Sequence, residues 1–179
     1  MKNANFIYSL VIDPLGLAKQ AQVGVDLTAK AIFRLETSGY GDGGAVFADK
    51  TAAIIGKGNV LAARTAVSRI PYKHGDAPEP VGWQLEPGVY AIAFDQGLHP
   101  LGATNTALIW QRSSLGRNGV EIRSSVFDPG FGTPEMGAML FVSAPIFIEE
   151  HARVAQILVF DNDEAALYDG QWAGSKDVK

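Results

Sequence analysis

From residue 13 onward the apolar runs of this chain are short and are broken again and again by Gly, Pro and Asp. That punctuation constrains the fold more than any other feature, because it leaves room for strands and turns but not for long helices. Residues 4–12 can make one short helix, ended by Asp13-Pro14. The strand candidates after it are AIFRL (31–35), AAII (52–55), GVYAIAF (88–94), TALIWQ (106–111), AMLFV (138–142) and RVAQILVF (153–160). In several of them the apolar positions are continuous rather than alternating, which predicts burial on both faces. YKHGDAPEPVGWQLEPG (72–88) reads as a long Pro/Gly loop or an irregular edge, and SSLGR as a single helical turn. Many short strands of this kind make an all-β domain, a barrel or a double-sheet jelly roll, with one or two short helices. With 179 residues and 47% hydrophobic content, no repeat and no linker run, the chain is expected to form one domain over 1–179. Residues 1–19 form its N-terminal segment, and 165–179 a tail available for closure or assembly.

Charge and composition narrow the function. A formal net charge of −4 argues against a general nucleic-acid footprint while allowing a local basic pocket. The absence of cysteine removes disulfides and thiolate metal sites and fits a reducing compartment. The first twenty residues hold no long apolar core, so neither a signal peptide nor a membrane span is expected, and the location is read as cytoplasmic. His74, His99 and His151 are far apart, with no H-x-E or H-E-x-x-H spacing, and are expected on the surface or in loops. GYGDGG (39–44) fits G-x-G-x-x-G, but AVFADKTAAII after it reads as strand and turn rather than the helix a dinucleotide site needs. No G-x-x-x-x-G-K-[ST] occurs.

Four stretches carry chemistry, each with a plainer reading beside it. RSSLGRNG (112–119) sets two guanidinium forks around two hydroxyls, a combination that grips phosphate oxygens in pairs; it is equally a capped turn with exposed arginines. FDPGF (127–131) holds a carboxylate on a Pro-Gly turn with an aromatic beyond it. Alone this is a turn with Asp128 as its cap, but Asp128 follows Arg117 by eleven residues, and a β-hairpin could join the two. GVDLT (24–28) places Asp26 among apolar neighbours, as a turn acid or something more. Gln156 stands inside an apolar strand, where a buried amide needs partners.

Taken in order, Q-x-x-G-V-D-L, L-x-P-G-x-Y, R-S-S-L-G-R-x-G-V, D-P-G-F, R-V-A-Q-I-L-V-F and Y-x-G-x-W resemble the dUTPase/dCTP deaminase superfamily over residues 20–174, and the GVDLT form is most similar to its deaminase-like dUTPases. The resemblance implies a distorted jelly roll assembled as a homotrimer, with sites between subunits that bind a deoxypyrimidine triphosphate with Mg²⁺. By the same resemblance Asp128 activates the attacking water and Phe131 stacks on the deoxyribose. Arg112, Ser113, Ser114, Arg117 and Gln156 hold the phosphates. Asp26 contacts the metal through water, and Tyr168 belongs to the segment that closes over the nucleotide. The superfamily's deaminases carry a glutamate ten residues after the motif aspartate; here that position is Ala138, and the nearest acid is Glu135. The Gly-rich, Ser-containing closing motif of ordinary dUTPases is absent. The expected reaction is therefore dUTP plus water to dUMP and pyrophosphate. The alternatives are a dCTP deaminase, a bifunctional dCTP/dUTP enzyme, and a nucleotide-binding regulatory trimer without catalysis. The base is expected to meet backbone groups between Arg117 and Asp128, which leaves uracil against cytosine open.

Overall fold

VDLTAKAIFRL is the longest extended run of the chain, and the domain closes around it. In the computed structural model, which describes residues 1–35, 40–41, 44–45, 64–72 and 79–170, it forms the eleven-residue strand β1 (Val25–Leu35). The other barrel strands are β2 (Gly88–Phe94), β3 (Asn105–Gln111), β4 (Val120–Arg123), β5 (Gly137–Val142) and β6 (Arg153–Asp161). They pair antiparallel in the order β6, β3, β4, β5, β2, β1, and β1 returns to β6. The closed six-stranded barrel is the barrel branch of the expectation. Closure is possible because β1 serves two neighbours. Its first residues pair with β6 and its later ones with β2, with a register shift between Ala29 and Ala31. A closed wall leaves no long edge exposed.

Alternation fills the barrel. Val25, Leu27, Ile92, Phe94, Ile109, Ile122, Leu140 and Ile157 are all buried inside it, each worth about 1.5–3 kcal/mol of transfer from water. In β2, Ala91 and Ala93 face the other way and are buried against Phe33, Leu35 and Met139. That second cover explains why GVYAIAF reads as continuously apolar. Asn3 caps helix α1 (Ala4–Leu10), its side chain accepting from the Phe6 N–H at 2.9 Å, and Ile7 anchors the helix in the core.

The boundaries depart from expectation where β pairing competes with local preference. The helix stops at Leu10 rather than residue 12, because Val11 and Ile12 pair with Leu98 and Gly97. The strand expected at 31–35 begins at Val25, so Asp26 is a strand residue and not a turn acid. The supposed loop at 72–88 contains the strand Val81–Leu85, paired with Ile146–Glu149 and Ile70–Pro71. AAII (52–55) lies outside the described residues. Across GYGDGG and the alanine after it, Tyr40–Gly41 and Gly44–Ala45 pair as two short strands. His99 and His151 lie on exposed loops as expected; His151 is also hydrogen-bonded to the buried Asp95 carboxylate. Among the described residues no helix is long and apolar enough to cross a membrane.

Candidate active site

The β3–β4 hairpin carries Arg112, Ser113, Ser114 and Arg117 at its tip and leads into Asp128 and Phe131. Trp110 pairs with Arg123, and Ala107 bridges to Phe127. Helix α2 (Ser113–Arg117) forms the tip, and Asp128 follows directly at the base. The expected hairpin exists, but within one chain it holds Arg117 and Asp128 apart. Ala107 and Arg112 are separated by five residues of strand, about 17 Å at roughly 3.3 Å per residue. The candidates thus form two groups.

The group at the tip surrounds Asp26. Strand closure sets Asp26 of β1 opposite Gln156 of β6, and Gln156 opposite Trp110 of β3. The Gln156 amide donates to Asp26 Oδ1 at 2.9 Å, which gives the half-buried amide its partner. Oδ2 of the same carboxylate meets Arg112 Nη1 at 3.0 Å and Arg153 Nη1 at 3.3 Å. Asp26 is only 2% exposed; a carboxylate so buried needs such partners. Arg112 is held in place by its own backbone, whose N–H donates to Val154 O at 2.9 Å. Leu115 roots α2 in the core, while Ser113, Ser114 and Arg117 stand exposed on it. Both Asp26 oxygens are therefore engaged by cationic or amide donors, and the described residues contain no cluster of three or more His or carboxylate groups. Such a donor set does not fit a protein-held Mg²⁺.

The group at the base is an aromatic turn under the chain's own tail. The Phe131 N–H donates to Asp128 O at 3.0 Å, and Gly130 N–H to Leu101 O at 2.9 Å. Gly130 has φ +85°. A Cβ there would approach Leu167 Cβ and Tyr168 N to 2.9 Å, so both the turn and the tail require glycine. The tail is secured by bonds from Asn162 N–H to Thr104 O, Ala165 N–H to Ala103 O and Tyr168 N–H to Pro129 O. Phe131 stacks on Phe127 at 5.1 Å between centroids and meets Tyr168 edge-on at 5.5 Å. Its exposure is 6%, so the ring is not open to a sugar while Tyr168 lies against it. Asp128 itself is exposed, and its carboxylate has no side-chain partner among the described residues.

Beside this turn, between β4 and β5, lies a cavity of about 170 Å³ whose walls include Arg123, Ser124, Ser125, Phe127, Ala138 and Met139. Among the described residues no carboxylate lines it. Glu135 is buried and ion-paired with Lys30. Sequence reasoning missed Arg153 and Arg123. The signal for Arg153 was a charge heading an apolar strand that already carried a candidate amide; Arg123 left none, because only pairing places it at the cavity.

Residues 5–162 match the sequence profile of the family described as dCTP deaminase-like. The deoxyuridine 5'-triphosphate nucleotidohydrolase of Methanocaldococcus jannaschii is 28% identical over 155 residues, 86% of each chain. The probable deoxyuridine 5'-triphosphate nucleotidohydrolase of Aeropyrum pernix is 34% identical over 96 residues, 51% of this chain and 58% of that one. Its counterpart from Halobacterium salinarum is 30% identical over 88 residues, 49% of this chain and 52% of the relative. The matched region thus spans little more than half the length of these last two relatives. The crystal structure of 2'-deoxycytidine 5'-triphosphate deaminase from Agrobacterium tumefaciens shares the fold, with a TM-score of 0.54 at 18% identity over 85% of this chain and 42% of that chain.

Proposed function

The chain belongs to the dCTP deaminase-like family, and from that membership we propose that it is a deoxypyrimidine triphosphate pyrophosphohydrolase that converts dUTP and water to dUMP and pyrophosphate. The observation that carries hydrolysis over deamination is the cavity lined by Phe127, the residue before Asp128. It has Ala138 in its wall and no carboxylate among the described residues that line it, whereas attack at a base's ring carbon needs a general base at the ring edge. Glu135, tied to Lys30, is not available to replace one.

In this reading Asp128 accepts a proton from a water that attacks the α-phosphorus. The bond from that phosphorus to its bridging oxygen breaks, and pyrophosphate leaves. Arg112, Arg117, Ser113, Ser114 and Gln156 hold the phosphate oxygens and offset their charge as it shifts toward the leaving group. Magnesium, as the triphosphate's counter-ion, would supply further neutralisation. Phe131 and Tyr168 form the sugar end, with Tyr168 swinging clear as the nucleotide enters.

One copy holds the two groups at opposite ends of a hairpin, so the working site pairs the tip of one copy with the base of a second. The face between them supports this reading, since Trp110 and Val126 are each 58% exposed there. Apolar groups so exposed are suited to burial against another chain. A trimer of 19.1 kDa chains is the assembly expected, and a fully active monomer by light scattering would refute the shared site. The reaction is tested by one incubation of dUTP and dCTP with Mg²⁺. Release of dUMP and pyrophosphate from dUTP is expected. Formation of dUTP from dCTP would establish a deaminase, and tight binding with no turnover a sensor.

A further inference from the structure

We propose that Arg153 is a phosphate-binding residue of this site, and that Asp26 is the positioning residue that aims Arg153 and Arg112 together. This rests on reading the tip of the hairpin as the triphosphate's seat. The starting point is an imbalance. One carboxylate oxygen, Asp26 Oδ2, takes a contact from Nη1 of two different guanidiniums, at 3.0 and 3.3 Å. Arg117 stands close by in sequence on α2 without an ion pair among the described residues. Two guanidiniums therefore share one carboxylate oxygen, and a third, Arg117, follows five residues after Arg112, on a chain whose net charge is −4. A purely structural ion pair needs one cation. A second guanidinium on the same oxygen is repelled by the first, and a further anion bound between the two forks would offset that repulsion.

The geometry leaves both heads available for that anion. The side chains of Arg112 and Arg153 are 30% and 43% exposed, whereas that of Asp26 is 3% exposed. Each guanidinium has five N–H donors, and Asp26 engages one nitrogen of each, leaving most of each fork for phosphate oxygens. Gln156 holds Oδ1 at 2.9 Å, so the carboxylate cannot rotate away and both forks keep a fixed direction. The same contacts disfavour a metal role for Asp26. A hydrated dication would have to displace the amide or approach between two guanidiniums.

Calorimetric titration with α,β-imido dUTP, in excess Mg²⁺ and again with chelator, tests both halves. Arg153→Gln should weaken binding about ten- to hundredfold under both conditions, the usual worth of a charge-assisted hydrogen bond. Arg153→Lys, which keeps charge but not the fork, should fall between. Binding of dUMP should change little. Asp26→Asn should lose affinity under both conditions, and the double variant should be no weaker than the worse single one, because the residues act as a unit. Wild-type affinity in Arg153→Gln overturns the assignment while leaving the nucleotide reading intact. A loss in Asp26→Asn that vanishes with chelator would make Asp26 a metal contact and overturn its positioning role. If Asp26→Asn fails to fold, the two Arg153 variants still decide. A wild-type chain that binds no triphosphate sinks the nucleotide reading and this inference with it.

Discussion

Asp26 and Asp128 sit at the two ends of one hairpin, and their surroundings are opposites. Asp26 lies in the barrel wall, 2% exposed, with both oxygens occupied by Gln156, Arg112 and Arg153. Asp128 stands in solvent on a turn, with no side-chain partner among the described residues. What orders it is its backbone, through the Phe131 N–H on its carbonyl, and the tail bond to Pro129 O. The contrast separates two uses of the same functional group. A carboxylate whose oxygens are occupied by cationic and amide donors fixes the donors around it. An unpartnered carboxylate on an ordered turn repels a polyanion, and in the proposed reaction its use is to act on a water between itself and phosphorus.

The sharpest way to break the comparison is Asp128→Asn. It keeps the shape and removes the base, so turnover should fall about 10²–10⁴-fold, while α,β-imido dUTP binds as well or better by calorimetry. Near-normal dUMP release from a folded variant would remove Asp128 from the chemistry; lost binding would make it a turn residue. Next in size is Phe131→Ala. Its ring is buried between Phe127 and Tyr168, so thermal unfolding should show a loss of about 3–5 kcal/mol. The preference for dUTP over UTP should narrow at the same time. An unchanged ratio would confine Phe131 to packing. Arg117→Ala sharpens the other end: triphosphate affinity should drop by about 1.5–3 kcal/mol and dUMP affinity much less, whereas equal losses would make Arg117 structural.

The smallest effect lies outside both groups. The Lys2 ammonium, hydrogen-bonded to Asp161, holds that carboxyl below its usual range, with the N-terminal ammonium adding to it. A depressed folded-state value contributes stability that is present above the unfolded value of about 3.9 and is lost as pH falls through the folded one. Asp161→Asn should flatten this acid limb of the melting curve slightly and leave melting at neutral pH nearly unchanged. A marked drop at neutral pH would show that the tether of Lys2 to β6 has a larger role.

Local chemistry in the chain determined the all-β class, the single turn at SSLGR, and most barrel strands to within a residue, because apolar runs bounded by Gly and Pro have few other solutions. It also determined which side chains carry chemistry, since guanidiniums, hydroxyls and a carboxylate at motif spacing declare their types without a fold. Tertiary structure alone decided their company. Asp26 looked like a turn acid because the strand begun at Val25 is set by pairing with β6, a partner more than a hundred residues away. The strand Val81–Leu85 was hidden among prolines for the same reason, since its ladder to Ile146–Glu149 supplies what its own residues do not. The hairpin was foreseeable, but which ends it separates depends on register, where Ala107 meets Phe127 and Trp110 meets Arg123. Register is fixed by long-range hydrogen bonds and core packing. Those forces, and not the motifs themselves, put three arginines' worth of charge at one end of β3 and a bare carboxylate at the other.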